Sequence, residues 1–324
     1  MAGPPVNAAG ARPAPPRRHP GALRGAAVVL AMLLAALAAT IAVTLFAEQQ
    51  RWTRAVEHRR DQVQAQALVF AAVQWARQIL NEDARLTSID HLGEPWAIAL
   101  PPIPLENGEI RGSITDAQGR LNVNALGAAG TAADIDRDRI ARLFAQRGGP
   151  AGALDAMADW IDADETPRMN GAEDAVYASR SIPGVAANAP VVRIAELANV
   201  AGMTFASLAT VAPFLVALPA WTPLNVNTAP REVLAAVFGS TGNDTVAAIL
   251  AARAQRPFNT IADFRARLPQ GAVSPDDVSL AVRSDYFLVS VEARQGTTIA
   301  RARALLHRGG GGRAWPEVVW QVIE

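Results

Sequence analysis

An uncharged apolar segment of 22 residues, 26–47, constrains the fold of this chain more than any other part of the sequence. An α-helix rises about 1.5 Å per residue, so a helix of this length spans the roughly 30 Å hydrocarbon core of a bilayer. Neither Gly nor Pro occurs between Gly25 and Gly93 to end such a helix. We therefore predict a transmembrane helix at residues 26–47 that continues in the aqueous phase over residues 48–88.

A cleaved secretory signal sequence is the alternative interpretation, because it too combines a basic start with an apolar core. Such a core is usually about 7 to 15 residues long and ends at a small-residue cleavage site that a loop follows. Residues 36–38, Ala-Leu-Ala, could form such a site, but they lie inside the helical pattern and no turn residue follows them. The sequence thus favours a helix that is retained in the membrane.

The basic residues near the amino terminus indicate how the chain is oriented. Residues 1–24 contain four Arg and no acidic residue, and because the whole chain has zero formal charge, the remainder carries −4. Positively charged flanks of transmembrane helices stay in the cytoplasm. We therefore predict a cytoplasmic leader, residues 1–25, and a single-pass protein whose chain after residue 47 is exported. The leader is rich in Ala, Pro, Gly and Arg, which predicts disorder.

The chain beyond the membrane contains strand-like segments and a helix face that could cover them. Residues 109–116 have strand character, and residues 286–307 and 316–323 predict a hairpin followed by a third strand. An apolar face suited to lying on a sheet recurs at helical spacing in the long helix, at Val69, Val73, Ala76 and Leu80. These features predict a small antiparallel sheet packed against the far end of the long helix.

A block of helix-like segments separates the first predicted strand from the others. Short helices between Gly, Pro and Asn are predicted at residues 135–144, 154–161, 194–200, 205–211, 231–238, 245–254 and 261–268. We therefore predict a sheet domain formed by residues 89–120 and 284–324, with an inserted helical domain at residues 121–283.

A short motif occurs twice within the predicted helical domain. The sequence Leu-Asn-Val-Asn begins at Leu121 and again at Leu224, each time ahead of a predicted helix. Asn and Thr are favoured N-cap residues because their side-chain oxygens accept hydrogen bonds from the free N–H groups of the first turn. We predict a capping role for the motif, with Thr228 as N-cap and Pro230 near the first helical position.

Several of these segments resemble a known family. Arg24-Gly25 ahead of an unbroken apolar helix resembles the processing site of type IV pilins and pseudopilins. Four further phrases, in this order, resemble the minor pseudopilin K family of type II secretion systems: residues 116–124, 159–167, 171–174 and 225–229. The similarity extends from Arg24 to the final strands.

The resemblance implies a fold, a processing step and a position in a filament. The implied fold is α+β: a long N-terminal transmembrane helix on a small antiparallel pilin-like sheet, with a large all-α helix-hairpin-helix or SAM-like domain inserted between strands. A prepilin peptidase would cleave after Gly25 and leave Ala26 as the new amino terminus. Most pilins carry a Glu five residues after the cut, where this chain has Leu30. Its loss is typical of the K subunit and favours the filament tip, where no neighbouring amino terminus needs neutralising.

The resemblance also implies that the protein acts by assembly in protein export across the outer membrane. The implied partners are the minor pseudopilins I and J, other pseudopilins of the same system and the prepilin peptidase. The secretion substrate or the outer-membrane channel could be a further partner. Together these subunits would start or cap a periplasmic pseudopilus. The resemblance thus implies a single-pass protein of the bacterial inner membrane whose bulk is periplasmic.

Residues 155–174 contain seven acidic side chains and one basic side chain, Arg168. Calcium prefers six to eight oxygen ligands from carboxylates and carbonyls, and other pseudopilins bind calcium. The spacing differs from that of an EF-hand. Calcium is therefore a candidate cofactor, and a solvated acidic loop is the other interpretation. The candidate ligands are Asp162, Asp164, Glu165, Glu173 and Asp174.

The sequence gives little support for catalysis. The four His residues fall in the leader, the long helix, a loop and a strand, and the chain contains no Cys that could act as a nucleophile. We predict that the protein is not an enzyme.

Nucleic-acid binding is the rival function. Residues 225–264 resemble helix-hairpin-helix modules, including those of membrane-anchored DNA receptors of competence-like uptake systems. Such modules bind phosphate through backbone N–H groups of a Gly-rich hairpin and through basic side chains. The corresponding hairpin, residues 238–244, carries an acidic residue, and the exported part is net acidic. We therefore expect no nucleic-acid partner.

Overall fold

The computed structural model describes residues 1, 3, 21–150, 152–239, 243–309 and 315–324. These residues form two compact units, Met1–Arg60 and Asp61–Glu324. Most of the predicted leader lies outside the described residues, and so does part of the predicted Gly-rich loop that follows Gly309.

The first unit contains the start of helix α1, Gly21–Leu86, which begins four residues before Gly25. From Gly25 onward this helix is long and apolar enough to cross a membrane, by length and composition. Its apolar side chains, including Val28, Leu33 and Phe46, are exposed within the chain. The predicted apolar helix is thus present, with side chains free to contact lipid or other helices.

The second unit contains a five-stranded antiparallel sheet with the strand order β1-β2-β7-β8-β9. Its strands are β1 Leu100–Leu105, β2 Gly108–Asp116, β7 Tyr286–Gln295, β8 Thr298–His307 and β9 Glu317–Ile323. The predicted strand at 109–116, the hairpin and the third strand are confirmed. Strand β1 escaped prediction because it contains three Pro residues, which are tolerated where a strand lies at the edge of a sheet.

The end of α1 in the second unit covers one face of the sheet. Its residues Val69, Val73 and Leu80 are fully buried. They share a hydrophobic cluster with alternate residues of β7 such as Phe287 and Val289. Side chains alternate between the two faces of a strand, so the odd-numbered residues of β7 face α1 and the even-numbered residues face away. The predicted apolar face of α1 is confirmed.

The chain between β2 and β7 is mainly helical and has a hydrophobic cluster of its own. Its helices are α2 Thr131–Arg147, α3 Ala153–Ile161, α4 Asp174–Ala178, α5 Phe205–Val211, α6 Arg231–Phe238, α7 Asn243–Gln255 and α8 Ile261–Ala266. Six of the seven predicted segments correspond to these helices. The remaining segment, predicted at residues 194–200, is the 3₁₀ helix Ile194–Asn199.

The repeated Leu-Asn-Val-Asn motif forms two matching pieces of structure. Each copy begins as a two-residue strand, β3 Leu121–Asn122 and β5 Leu224–Asn225. These strands pair in parallel with β4 Leu215–Val216 and β6 Leu280–Ala281, respectively. In both copies the second Asn pairs through its side-chain amide with the backbone N–H and C=O of a distant residue: Asn124 with Val191 and Asn227 with Phe258. The two copies of the motif therefore make the same type of tertiary contact.

The capping role predicted for the motif is correct in part. The Asn122 side chain accepts a hydrogen bond from the Asn124 N–H and caps the 3₁₀ helix that follows. Thr228, predicted as an N-cap, is not one, because α6 begins at Arg231 with Pro230 in the N-cap position. The Thr228 hydroxyl instead donates to Asp116 Oδ2 at 2.5 Å. The hydrogen bond to the buried Asp116 carboxylate thus replaces the capping role that the local sequence predicts for Thr228.

A buried polar network joins α1, the sheet and the helical segment. Arg308, only 2% exposed, donates to Asp83 Oδ2 at 2.7 Å and to both carboxylate oxygens of Asp90 at 2.6 Å. Asp116, at the end of β2, accepts hydrogen bonds from Asn225 Nδ2 at 2.9 Å and from the Ser284 hydroxyl at 2.6 Å. The charged side chains of Arg308, Asp90 and Asp116 therefore connect segments that lie far apart in the sequence.

This network predicts a pH dependence of stability. Burial raises the pKa of Asp83 and of Asp116 from 3.8 to about 6. At pH values between about 4 and 6, these two carboxyl groups are therefore protonated in the folded chain but ionised in the unfolded chain. The stabilising contribution is therefore fully present below about pH 4 and is lost as the pH rises through 6. In Asp83→Asn we expect the fall in unfolding free energy between about pH 4 and pH 7 to shrink by up to about 3 kcal/mol, measured by urea unfolding.

Asp138→Asn on the exposed side of α2 is the control, and its pH profile should match that of the unsubstituted chain. An Asp83→Asn profile that parallels the unsubstituted one would contradict the assignment of this proton uptake to Asp83.

Candidate functional site

The predicted acidic site forms around the C-terminal end of α3. Asp159, in the last turn of this helix, is fully buried. Its Oδ2 accepts a hydrogen bond from the Ala172 N–H at 2.8 Å, and its Oδ1 accepts one from Arg168 Nη1 at 2.6 Å. The buried Asp159 carboxylate therefore binds the loop after α3 at two points, Arg168 and Ala172.

Close backbone approach makes this loop compact. A Cβ atom placed on Gly171 would lie 1.7 Å from Asp159 Oδ2, so only glycine fits at this position. Arg168 Nη1 also donates to Asp162 Oδ2 at 2.5 Å and draws a second carboxylate towards the loop. Asp164 shapes the turn locally, since its Oδ1 accepts from the Thr166 N–H at 2.9 Å.

Three of the five candidate ligands come together in this loop. Asp162, Asp164 and Glu173 each offer a carboxylate oxygen, and these atoms lie within 4.8 Å of one another. Asp162 Oδ1 and both carboxylate oxygens of Glu173 are buried without a hydrogen-bond partner among the described residues. Burial and four neighbouring Asp carboxylates raise the pKa of Glu173.

This donor set fits a hard divalent cation. Buried carboxylate oxygens without donors are costly unless a positive charge satisfies them, and calcium accepts such oxygens together with carbonyls and water. Asp162, Asp164 and Glu173 would hold the ion. The ion would supply charge that fixes the loop in place and would take no part in chemistry.

The other two candidate ligands lie outside this group of three. Asp174 Oδ1 accepts a hydrogen bond from the Ala186 N–H at 2.7 Å, and Glu165 is exposed. The positioning roles of Asp159 and Arg168 were not predicted from the sequence. The spacing of Asp159 and Asp162, three residues apart at a helix end, was the signal that could have placed both on one side of the loop.

A second acidic trio, formed by Asp83, Asp90 and Glu94, is also close enough to hold a cation. Arg308 occupies this position with its guanidinium, and Glu94 accepts from Trp96 Nε1 at 2.8 Å. The positive charge at this trio is therefore a side chain of the protein itself.

The residues predicted for processing and assembly lie on α1 in the first unit. Gly25, Ala26 and Leu30 are all helical and exposed, and Leu30 is 59% exposed. A Cβ atom on Gly25 would meet nothing within 4 Å. These positions are accessible on the helix surface.

A long apolar amino-terminal helix whose far end covers an antiparallel sheet defines the class of pilin-like membrane-anchored subunits. Two family descriptions, both of type II secretion system protein K, match residues 119–220 and residues 224–283. Type II secretion system protein K of Pseudomonas aeruginosa is 32% identical over 89% of this chain and 90% of the relative. The Klebsiella pneumoniae protein is 31% identical over 89% of this chain and 93% of the relative.

A solved structure shows the same similarity. A chain in the crystal structure of the GspK-GspI-GspJ complex from the enterotoxigenic Escherichia coli type 2 secretion system superimposes with a TM-score of 0.69. It is 26% identical, and the match covers 82% of this chain and 99% of that one. The chain belongs to the type II secretion system protein K family and is a minor pseudopilin, a structural subunit of this system.

The contact between Gly171 and Asp159 yields a stability prediction. In Gly171→Ala the new methyl group overlaps Asp159 Oδ2, so the loop must move and weaken the hydrogen bonds that Asp159 accepts. We expect a loss of about 1–3 kcal/mol in unfolding free energy, measured by urea unfolding. Gly184→Ala is the matched control, because a Cβ there meets nothing within 4 Å. Equal stabilities of the two variants would show that the loop is not closed on Asp159.

Proposed function

We propose that this minor pseudopilin sits at the tip of the periplasmic pseudopilus and acts there by assembly with the minor pseudopilins I and J. The observation that carries this proposal is the similarity, over nearly all of the related chain, to a member of a GspK-GspI-GspJ complex. The exposed apolar helix supports anchoring in a membrane, which we propose to be the inner membrane with the head in the periplasm. Other pseudopilins, the secretion substrate and the outer-membrane channel are further proposed contacts.

The residues at the start of the apolar helix support processing and a terminal position. We propose that a prepilin peptidase cleaves between Gly25 and Ala26, both of which are exposed. Leu30 would be the fifth residue of the cleaved chain. An apolar residue there leaves no carboxylate to neutralise the amino terminus of a subunit ahead, and an uncompensated buried charge costs several kcal/mol. A subunit with no neighbour ahead of it avoids this cost.

We also propose that the helical segment between β2 and β7 is a helix-hairpin-helix or SAM-like domain used for protein contact. Helices α6 and α7 support this assignment because they follow each other closely. Residues 240–242 of the connecting hairpin lie outside the described residues.

Co-purification tests the assembly. With affinity-tagged full-length chain co-expressed with minor pseudopilins I and J of the same system, we expect all three to be recovered in equal amounts after detergent extraction. A major pseudopilin tagged in the same way is the control for non-specific helix association. Recovery of the tagged chain without I and J would contradict the proposed function.

The variant Leu30→Glu tests the proposed tip position independently of the assembly with the minor pseudopilins I and J. The variant should still bind the minor pseudopilins I and J. Its new carboxylate could neutralise the amino terminus of a subunit ahead of it, so the variant could also occupy positions behind the tip. Its ratio to the major pseudopilin in sheared filaments should therefore rise. An unchanged ratio would refute our account of Leu30 while leaving the partnership with I and J intact.

We propose that the loop after α3 binds calcium through Asp162, Asp164 and Glu173. The support is their three unpartnered buried oxygens and their mutual distance within 4.8 Å. Ion binding to the folded chain alone raises the free energy of unfolding, by about 2.7 kcal/mol at one hundred times the dissociation constant. Calcium would thus stiffen this end of the helical segment.

Calcium titration tests this site. By isothermal titration calorimetry we expect Glu173→Gln to weaken calcium binding at least about tenfold, because a charged ligand is lost at the centre of the group. Glu165→Gln, an exposed acid of the same loop, is the matched control and should bind as the unsubstituted chain does. Equal weakening in both variants would indicate diffuse attraction to an acidic loop and would contradict the assigned ligands.

A further inference from the structure

A groove of about 660 Å³ lies between the sheet and the helical segment. Its floor is the sheet face opposite α1, since Leu288 and Ser290 alternate along β7 with the residues that face α1. Its other wall comes from the 3₁₀ helix Ile194–Asn199 and from α5. None of the candidate calcium ligands lines this groove.

Small side chains create the depth of the groove. Ser113 of β2 and Ser290 of β7 are directly paired across the sheet, and Ser290 is paired in turn with Arg303 of β8. No hydrogen bond is made by either hydroxyl to another described residue. The row Ser113–Ser290 therefore presents free donors and acceptors at a low point of the sheet surface.

Two guanidinium groups in this groove form no ion pair with another described residue, although Glu324 also lines the groove. Arg120, half-buried in the turn after β2, and Arg303 line the groove, and neither side chain forms an ion pair or hydrogen bond within the described part of the chain. Burial and the nearby Arg303 charge lower the pKa of Arg120. The charge of Asp116 opposes this shift, and its carboxylate is already engaged by donors from Asn225, Thr228 and Ser284.

The other Arg side chains on this sheet face differ in this respect. Arg111 and Arg301 both contact Glu292, at 2.6 and 2.8 Å. Arg294 contacts Glu109 at 3.3 Å. These three Arg side chains are thus in ion pairs, whereas Arg120 and Arg303 inside the groove are in none with another described residue. A guanidinium offers five donors, and the strongest acceptor for its planar fork is a carboxylate or phosphate.

Apolar side chains flank the two Arg residues. Phe205 at the start of α5 is 84% exposed, and Leu208, Leu288 and Trp320 also line the groove. An exposed aromatic beside an unpaired guanidinium suits a peptide that carries a carboxylate next to an aliphatic side chain, because each group then has a matching contact. A nucleic acid would need a longer series of phosphate contacts than two Arg residues provide.

We propose that this groove binds an extended protein segment in which acidic and aliphatic residues alternate. A carboxylate of the segment pairs with Arg120 and Arg303, and its backbone lies over Ser113 and Ser290. The neighbouring aliphatic side chains pack on Phe205 and Trp320. The inference goes beyond the assembly proposed above, because it rests on the charges and shape of the groove alone.

Fluorescence anisotropy tests the groove with the full-length chain in detergent. The probe is a fluorescein-labelled decapeptide that alternates aspartate and leucine, and the comparison peptide has asparagine in place of aspartate. We expect the acidic peptide to bind at least about tenfold more tightly than the asparagine peptide. Arg303→Gln should remove most of this difference, because it removes a charged donor with which the peptide carboxylate would pair.

Matched variants separate the groove from general charge and from misfolding. Arg294→Gln removes one charge from the same sheet face outside the groove and should leave peptide binding unchanged. Ser290→Tyr, on an exposed position, fills the floor without altering charge and should abolish binding. Equal binding of the two peptides, equal losses in Arg303→Gln and Arg294→Gln, or full binding by Ser290→Tyr would each overturn the proposal. Displacement of the peptide by a decamer of single-stranded DNA at equal concentration would overturn it in favour of a general anion site.

Discussion

The contact of Arg308 with Asp83 and Asp90 is the interaction on which the second unit most depends. The guanidinium is almost completely buried, so its removal would leave two carboxylates without a counter-charge in a low-dielectric environment. Loss of one member of such a group costs about 3–5 kcal/mol, a large part of the stability of an ordinary domain. Because Arg308 follows β8, Asp83 lies in the last turn of α1 and Asp90 lies in the loop beyond, this contact joins the end of the helix to the sheet. Asp116 extends the network to the helical segment through Asn225 and Ser284.

Local patterns in the sequence predicted most of the secondary structure but few of the tertiary contacts. The apolar face at Val69 and Leu80, the strand at 109–116 and the helices from 135 onward follow from periodicity, which depends only on near neighbours. Strand β1 was missed because its Pro residues argue against a strand until an edge position is known. Thr228 was misassigned because the side chain that competes for it, Asp116, lies 112 residues away. Among the predicted metal ligands, the sequence indicated the acidic loop but could not separate Asp174 and Glu165 from the three residues that converge.

The two acidic trios show how similar side chains are used in different ways. Arg308 supplies the positive charge to Asp83 and Asp90, and Glu94 accepts a hydrogen bond from Trp96. At the second trio Arg168 contacts Asp162 but leaves Glu173 without a donor. The first trio therefore has a counter-charge within the chain, whereas Glu173 in the second has no hydrogen-bond donor among the described residues.

The Pro residues of β1 have a consequence for how the sheet can meet other proteins. Pro101, Pro102 and Pro104 lack the backbone N–H that a newly added strand would require, so this side of the sheet is closed to further backbone pairing. Strand β9 at the opposite side contains no Pro between Glu317 and Ile323. Backbone pairing of an added strand is therefore favoured at β9 over β1, so the two edges of the sheet are not equivalent.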